Sequence, residues 1–567
     1  MPVNPISSDS SLLDIDHHFR ISAGPGAGKT HWIVGHVKNV LHKSKKLAKT
    51  KKIACITYTN IGVDTILKRL GSSSERVEVL TIHSFLYKHI LKPYAHFIEA
   101  EYGLNVQKMD GHDDIILSNY GFLNDWKTRT TQQRIRDDQV IAKAFKQLKW
   151  KFDSSGNLTP RPDYPQTANG YAIKNESYLE YKKMTWKKGI VHHDDVLFFS
   201  HEIIVKFPFV LDVLRAKFPY FFIDEFQDSN PIQVAIIKRI AQSEAIIGII
   251  GDKAQSIYGF LGANPSQFHS FSLTGLVDYE ISVNRRSSNE IIDLLNSLRS
   301  DINQTSHRDV SLSKATIIVG EASASLRKAK LLCDPEPLHS LSRMNVTSNA
   351  MKREIGGVGL NGNLFDELRT ADSNSDRSNF LIGCIKAIEL AREKKIRDAL
   401  KELQKVLRNI PDKHERKKAA LQHLFRLLSK YDSYKNDSLL GFSTMIKANI
   451  KTDLTKVTSG GVKTFYETHS YDSLALCVNV PEDISYHKTI HKAKGDEFDN
   501  VLLVLTEETN LDFILTPNLH ATNDAGENQR VNYVAVSRAR NRLFITIPTL
   551  TPANEALLAA NFHIERL

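Results

Sequence analysis

The chain has 567 residues, 41% hydrophobic and 25% charged, with a formal net charge of +11. That length exceeds what one hydrophobic core organises and implies several domains; no apolar run is long enough to span a bilayer, and no membrane is expected as a partner. Cys55, Cys333, Cys384 and Cys477 are far apart without metal-ligand spacing, which argues against a zinc or iron–sulfur site and fits a reducing cytoplasm; the positive charge suits a polyanion.

Met1 to His18 is polar and acidic and does not read as a secretory signal. Phe19 to Ser22 reads as a strand, and His31 to Leu41 as a helix. Between them stands Ala23-Gly24-Pro25-Gly26-Ala27-Gly28-Lys29-Thr30, a P-loop in its proper strand–helix setting. Glycines let backbone N–H groups converge on phosphates, and the helix N-terminus adds its dipole. Lys29 would reach the β- and γ-phosphates and Thr30 would ligate Mg²⁺. The lysine-rich stretch Lys43 to Lys52 reads as a solvated loop.

Further along, the apolar strand Phe221-Phe222-Ile223 ends in Asp224-Glu225. Asp224 would hold Mg²⁺, and Glu225 would act as general base on water. A second apolar strand, Ala245 to Ile250, runs into Gly251-Asp252-Lys253-Ala254-Gln255, which makes Gln255 a candidate sensor of the γ-phosphate. Phe380 to Ile410 and His414 to Tyr431 have helical apolar periodicity with charged faces, ordinary helix packing. Gly356-Gly357-Val358-Gly359 and Ser459-Gly460-Gly461 flank them and read as hinges.

An ordered set of motifs resembles the superfamily 1 helicases of the UvrD/Rep/PcrA type. Asp224-Glu225-Phe226-Gln227-Asp228 is similar to helicase motif II, and Gly251 through Phe260 to motif III. Ile56-Thr57-Tyr58-Thr59-Asn60 resembles motif Ia, and Leu80-Thr81-Ile82-His83-Ser84-Phe85 motif Ib. Val283-Asn284-Arg285-Arg286-Ser287 resembles motif IV, Thr489 through Phe498 motif V, and Tyr533 through Ala539 motif VI. The set runs in family order from near the first residue to near the last.

The resemblance implies an α/β fold of two RecA-like P-loop NTPase domains, each with a mostly helical insertion. Domain 1A would use residues 1–90 and 190–280, and insertion 1B residues 91–189. Domain 2A would use 281–355 and 463–567, and insertion 2B 356–462. It implies ATP and Mg²⁺ as cofactors and movement 3′ to 5′ on single-stranded or partly duplex DNA. By the same carry-over Arg286 and Arg538 would stabilise charge on the γ-phosphoryl group, and Glu497 would face the ribose. Tyr58, Tyr258 and Phe260 sit at base-stacking positions; Thr57, Asn60, His83 and His491 are candidate strand contacts.

This sequence also departs from the family. No glutamine stands upstream of the P-loop at the adenine-reading position. Arg285 takes the place of a tyrosine that stacks on adenine; its guanidinium plane can also stack on a base. Leu261 stands where an arginine that couples hydrolysis to DNA is common. The compact insertions and motif V also resemble the helicase-like subunit of the Gabija anti-phage system, which implies a nuclease partner of the OLD type. A non-hydrolysing nucleic-acid scaffold is the alternative of a different class, and the retained Lys29, Thr30, Asp224, Glu225, Gln255, Arg286 and Arg538 argue against it.

Overall fold

The computed structural model describes residues 3–567 apart from 110, 112–115, 118, 165, 169, 356–361 and 482–483. Two compact units emerge. One comprises Met1–Ser287, Asn296–Asp309 and Asn518–Arg530; the other comprises Ser288–Leu295, Val310–Pro517 and Val531–Leu567.

The first unit is built on a seven-stranded parallel sheet. Its strands run in the order Asn4–Pro5, Val277–Ile281, Phe19–Ala23, Ile246–Gly251, Tyr220–Ile223, Ile53–Thr57 and Val77–Thr81. The sequences IACIT, YFFI and IIGIIG are apolar without alternation, and all three strands are buried throughout. That is the signature of parallel strands covered on both faces. Side chains still alternate across the sheet. Phe222 joins Phe19, Trp32 and Val37 on one face, and Phe221 joins Phe85, Phe199 and Phe226 on the other. The carboxyl ends of the inner strands deliver Ala23, Thr57, Ile223 and Gly251 to one edge of the sheet, where open α/β sheets place their ligands.

Within this unit the 91–189 segment has helices Tyr120–Arg129, Asp138–Lys146 and Ser177–Trp186, and two short antiparallel hairpins. Trp126, Phe145, Tyr178 and Tyr181 form its own small core. A buried carboxylate fixes its base. Asp195 accepts hydrogen bonds from Trp150 Nε1 at 2.8 Å, Trp186 Nε1 at 3.0 Å and the His192 amide at 3.0 Å, and Lys182 Nζ lies 2.8 Å away. Burial opposes its charge, but Lys182 and the His192 side chain hold the carboxyl well below the usual range.

The second unit contains a six-stranded parallel sheet: His487–Thr489, Leu338–Ser342, Phe498–Val504, Ala539–Ile547, Thr316–Val319 and His563–Arg566. Residues 364–475 form a helical body around Leu381, Ile385, Leu403, Leu424, Phe442 and Tyr471. The two periodic stretches of the sequence resolve into three helices, Ser375–Arg392, Ile396–Val406 and Lys413–Ser429. The break that the periodicity conceals falls at Lys394, whose φ is +62°. Of the two glycine-rich flanks, Gly356-Gly357-Val358-Gly359 lies outside the described residues. Gly460 and Gly461 are no free hinge: they open the helix Gly460–Thr468. Lys43 closes the helix Lys29–Lys43, and residues 44–52 are a turn-rich loop with Lys45 and Lys49 exposed. No described helix is long and apolar enough to cross a membrane.

Candidate functional site

The P-loop leaves the strand Phe19–Ala23 and enters the helix Lys29–Lys43. Gly26 and Gly28 have φ of +69° and +83°, a region that costs any side chain with a Cβ. Space forbids one at Gly26 as well. A Cβ there would lie 2.6 Å from Asn284 Oδ1 and 2.8 Å from Arg286 Cβ. The loop is held from outside. The Arg285 amide donates to the Gly26 carbonyl at 2.9 Å, and Gln304 Nε2 donates to the Pro25 carbonyl at 2.9 Å. Asn284 Oδ1 accepts from the amides of Arg286 and Ser287 at 2.8 and 3.0 Å. Lys29 curls back over the loop, its Nζ 3.2 Å from the Ala23 carbonyl and 3.5 Å from that of Gly24. Thr30 follows it in the first helical turn, partly exposed. Arg285 forms an ion pair with Asp9, and Asp9 also lies 3.3 Å from His31 Nε2.

The acidic pair sits two strands away in the same sheet. Asp224 is buried, its amide donating to the Ile56 carbonyl at 2.8 Å. Glu225 has φ +54°, a conformation rare for a non-glycine residue and found where a site must aim a side chain. Gln227 Nε2 donates to Glu225 Oε2. The same amide's Oε1 accepts from the Asp252 amide at 3.0 Å. Asp252 in turn accepts from Gln255 Nε2 at 2.6 Å and from Arg299 Nη1 at 3.0 Å. Arg299 reaches on to Asp301 through Nε and Nη2 at 2.8 and 2.9 Å. One continuous hydrogen-bond chain therefore links the Glu225 carboxylate to the Gln255 side chain. Such a network orients both groups without reorganisation when charge develops nearby.

The strand-contact residues form a second cluster beside the first. Tyr58 and Tyr258 stack at 4.9 Å with 22° between ring planes. Phe260 lies 6.0 Å from Tyr258 and is 54% exposed, so it presents an open ring face. Burial and the Asp228 carboxylate push the hydroxyl pKa of both tyrosines up, keeping them neutral. Thr57 is buried at the end of its strand, and Asn60 is exposed at the start of the helix Asn60–Leu70. Thr57, Tyr58, Asp224 and Glu225 line one small cleft, which joins the two clusters. The His83 ring stacks on that of His193 with centroids 3.6 Å apart.

Three residues that sequence reasoning selected lie in the second unit. His491 is partly buried, and Glu497 is exposed. Arg538 is buried; its Nε donates to the Val534 carbonyl at 3.1 Å and its Nη2 to Ser537 Oγ at 2.9 Å.

Sequence reasoning missed several groups. Gln304 and Asn284 brace the P-loop, and Arg299 completes the network. From the 518–530 segment, Glu527 Oε1 accepts from the Gly259 amide at 2.9 Å. Arg530 Nε donates to the Ser256 carbonyl at 2.7 Å. Lys149 Nζ donates to the Phe260 carbonyl. None stands in a recognisable local pattern.

Residues 6–274 match the UvrD/REP helicase N-terminal domain, and residues 410–547 match the viral superfamily 1 RNA helicase core domain. The chain is similar to the Gabija protein GajB of Bacillus cereus, 24% identical over 339 residues, 52% of this chain and 49% of the relative. It is 26% identical over 288 residues to DNA helicase II of Escherichia coli, 49% of this chain and 38% of the relative. With the ATP-dependent DNA helicase PcrA of Bacillus subtilis it shares 25% over 275 residues, 47% and 35% of the two chains. The chain thus spans half or less of the length of these curated relatives.

Proposed function

We propose, for a chain whose residues 6–274 belong to the UvrD-like superfamily 1 helicases, that it is an ATP hydrolase that couples hydrolysis to movement on single-stranded DNA. The observation that carries this reading is the hydrogen-bond chain from Glu225 to Gln255, set in one cleft-forming sheet edge with the Tyr58–Tyr258 stack. In this reading the shared sheet edge would let chemistry at one cluster be felt at the other.

The residues present fit a nucleotide triphosphate with Mg²⁺. Gly26 and Gly28 give the loop its left-handed turns, Lys29 supplies a cation beside it, and Thr30 with the buried Asp224 offers hard oxygen ligands. Mg²⁺, when bound, supplies charge neutralisation on the phosphates. Glu225 would accept the proton of the attacking water, and Gln255 would position that water. Arg286, beside the P-loop, and Arg538 would stabilise the developing charge; Arg285 and Glu497 would contact the nucleoside. Thr57, Asn60, His83 and His491 would contact the strand, with Phe260 as the outer stacking platform. The division into 1A, 1B, 2A and 2B and a cytoplasmic location, where DNA is available, belong to the same proposal.

The deciding experiment is ATP hydrolysis with and without single-stranded DNA, run beside Glu225→Gln. Stimulation by DNA is expected. Loss of the base should lower turnover by about 10²- to 10⁴-fold with nucleotide binding retained. Tight DNA binding without hydrolysis in the parent protein would replace this reading with the scaffold one. Phe260→Ala should weaken single-strand binding by about 1–3 kcal/mol and leave hydrolysis without DNA unchanged; equal binding by the variant, read by fluorescence anisotropy, would remove Phe260 from the strand path.

A second reading is favoured by the similarity to the Gabija protein GajB. Here the same motor serves as the DNA-sensing subunit of an anti-phage assembly, with an OLD-type nuclease as partner. Co-purification of such a nuclease encoded beside it would support this reading, and a strictly solitary protein would count against it.

A further inference from the structure

His83, His193 and Asp194 converge outside the nucleotide site. One ligand atom from each lies within 4.8 Å of the others. His83 opens the helix Ile82–Leu86, while His193 and Asp194 open the helix His193–Lys206. The two histidines are 110 residues apart in sequence, and the 91–189 segment leaves and rejoins the fold between them. His83 Nε2 is buried and has no hydrogen-bond partner among the described residues, which costs about 1–3 kcal/mol for a group able to bond. Asp195, next in sequence to Asp194, is saturated by two tryptophans, an amide and Lys182. Asp194 occupies a different place, facing the histidines.

We propose that His83, in place of the strand contact assigned to it above, joins His193 and Asp194 in a site for a divalent transition-metal cation, of which Zn²⁺ is the type, that clips together the two ends of the 91–189 insertion.

The donor set selects the ion. Two imidazole nitrogens and one carboxylate favour Zn²⁺ and its neighbours over Mg²⁺ or Ca²⁺, which take oxygen ligands. Tetrahedral bonds of about 2.1 Å place ligand atoms about 3.4 Å apart. Binding would draw the three ligand atoms together by up to about 1.4 Å and turn the stacked His83 and His193 rings out of their near-parallel arrangement, so that both in-plane lone pairs point at the ion. The electrostatics agree. Burial, with His193 beside it, pushes the His83 pKa down to about 3, so the ring is in its neutral, ligating form. Burial, reinforced by Asp195, pushes the Asp194 carboxyl up to about 6 against the opposing pull of Lys182; a cation there would relieve that cost. The bound ion would fix the helix carrying His83, immediately after the strand Val77–Thr81, to the helix at the insertion's far end.

The test uses the full chain stripped of metal with a chelator and then titrated with Zn²⁺, without nucleotide or DNA. Calorimetry should show one tight equivalent, and Mg²⁺ at the same concentration should not compete. His193→Ala and Asp194→Asn should each weaken that equivalent by at least about 10-fold, with circular dichroism confirming that the variants fold. Co²⁺ substitution gives an independent readout, since the visible absorption of nitrogen–oxygen ligation should vanish in His193→Ala. The proposal is overturned if the parent protein takes up no stoichiometric Zn²⁺, or if both variants bind it as tightly as the parent.

Discussion

Replacing Lys29 with alanine should lower ATP turnover by about 10³-fold, the scale on which loss of one preorganised charge-stabilising donor is felt, while single-strand affinity stays within about twofold. The reason is local. The Lys29 ammonium lies 3.2 and 3.5 Å from the carbonyls of Ala23 and Gly24, beside the turns that the two left-handed glycines make. Nothing in the hydrophobic core depends on it. The strand-contact rings, Tyr58, Tyr258 and Phe260, belong to other loops, so their stacking persists. Parallel measurements of turnover and of fluorescence anisotropy with a labelled oligonucleotide check both halves. Simultaneous loss of both would indicate a folding defect and remove Lys29 from the catalytic role.

The second large effect is on stability. Arg299 and Asp252 are fully buried, and their ion pair is 3.0 Å long. Arg299→Ala leaves the Asp252 carboxylate in the interior with Gln255 Nε2 and the Ala254 amide as its remaining partners among the described residues. Stranding one charge of a buried pair costs about 3–5 kcal/mol. The same change frees Asp301, whose carboxyl burial would raise and Arg299 holds below its usual range. We expect the first unfolding transition in urea to move to markedly lower denaturant, and hydrolysis to fall with it because Gln255 loses its orientation. A double-mutant cycle of Arg299→Ala with Asp252→Asn should recover part of the stability, since the uncompensated charge is then gone. Additive losses would show that the two residues act separately.

Chemistry that needs contiguous residues is legible in the sequence. A P-loop must be glycine-rich at fixed spacing, and an acidic pair must terminate an apolar strand, so Lys29, Thr30, Asp224 and Glu225 announce themselves. The parallel sheet is equally readable, because IACIT, YFFI and IIGIIG suit strands buried on both faces. What stays hidden are the braces. Gln304 reaches Pro25 across 279 residues, and Arg299 reaches Asp252 across 47. Glutamine and arginine are common surface residues, and only folding shows that these are interior. The glycines at 460 and 461 err in the other direction. Local composition suggests a flexible joint, but the helical packing of Tyr466 in the core of the second unit fixes a helix start there.

The order in which the parts arrive matters as well. Glu527 and Arg530 hold the loop that carries Gly259 and Ser256, 268 and 274 residues behind them in the chain. At a synthesis rate of about 5–20 residues per second, that interval is roughly 13 to 55 s on the ribosome. During it the nascent sheet holds a P-loop and an acidic pair, yet the loop bearing Tyr258 lacks these two braces. A growing chain therefore passes through a stage in which its P-loop and acidic pair have been made before the loop of its strand-contact surface is braced. The finished first unit also cannot be excised by a single cut, because its last segment returns only after most of the second unit has been made.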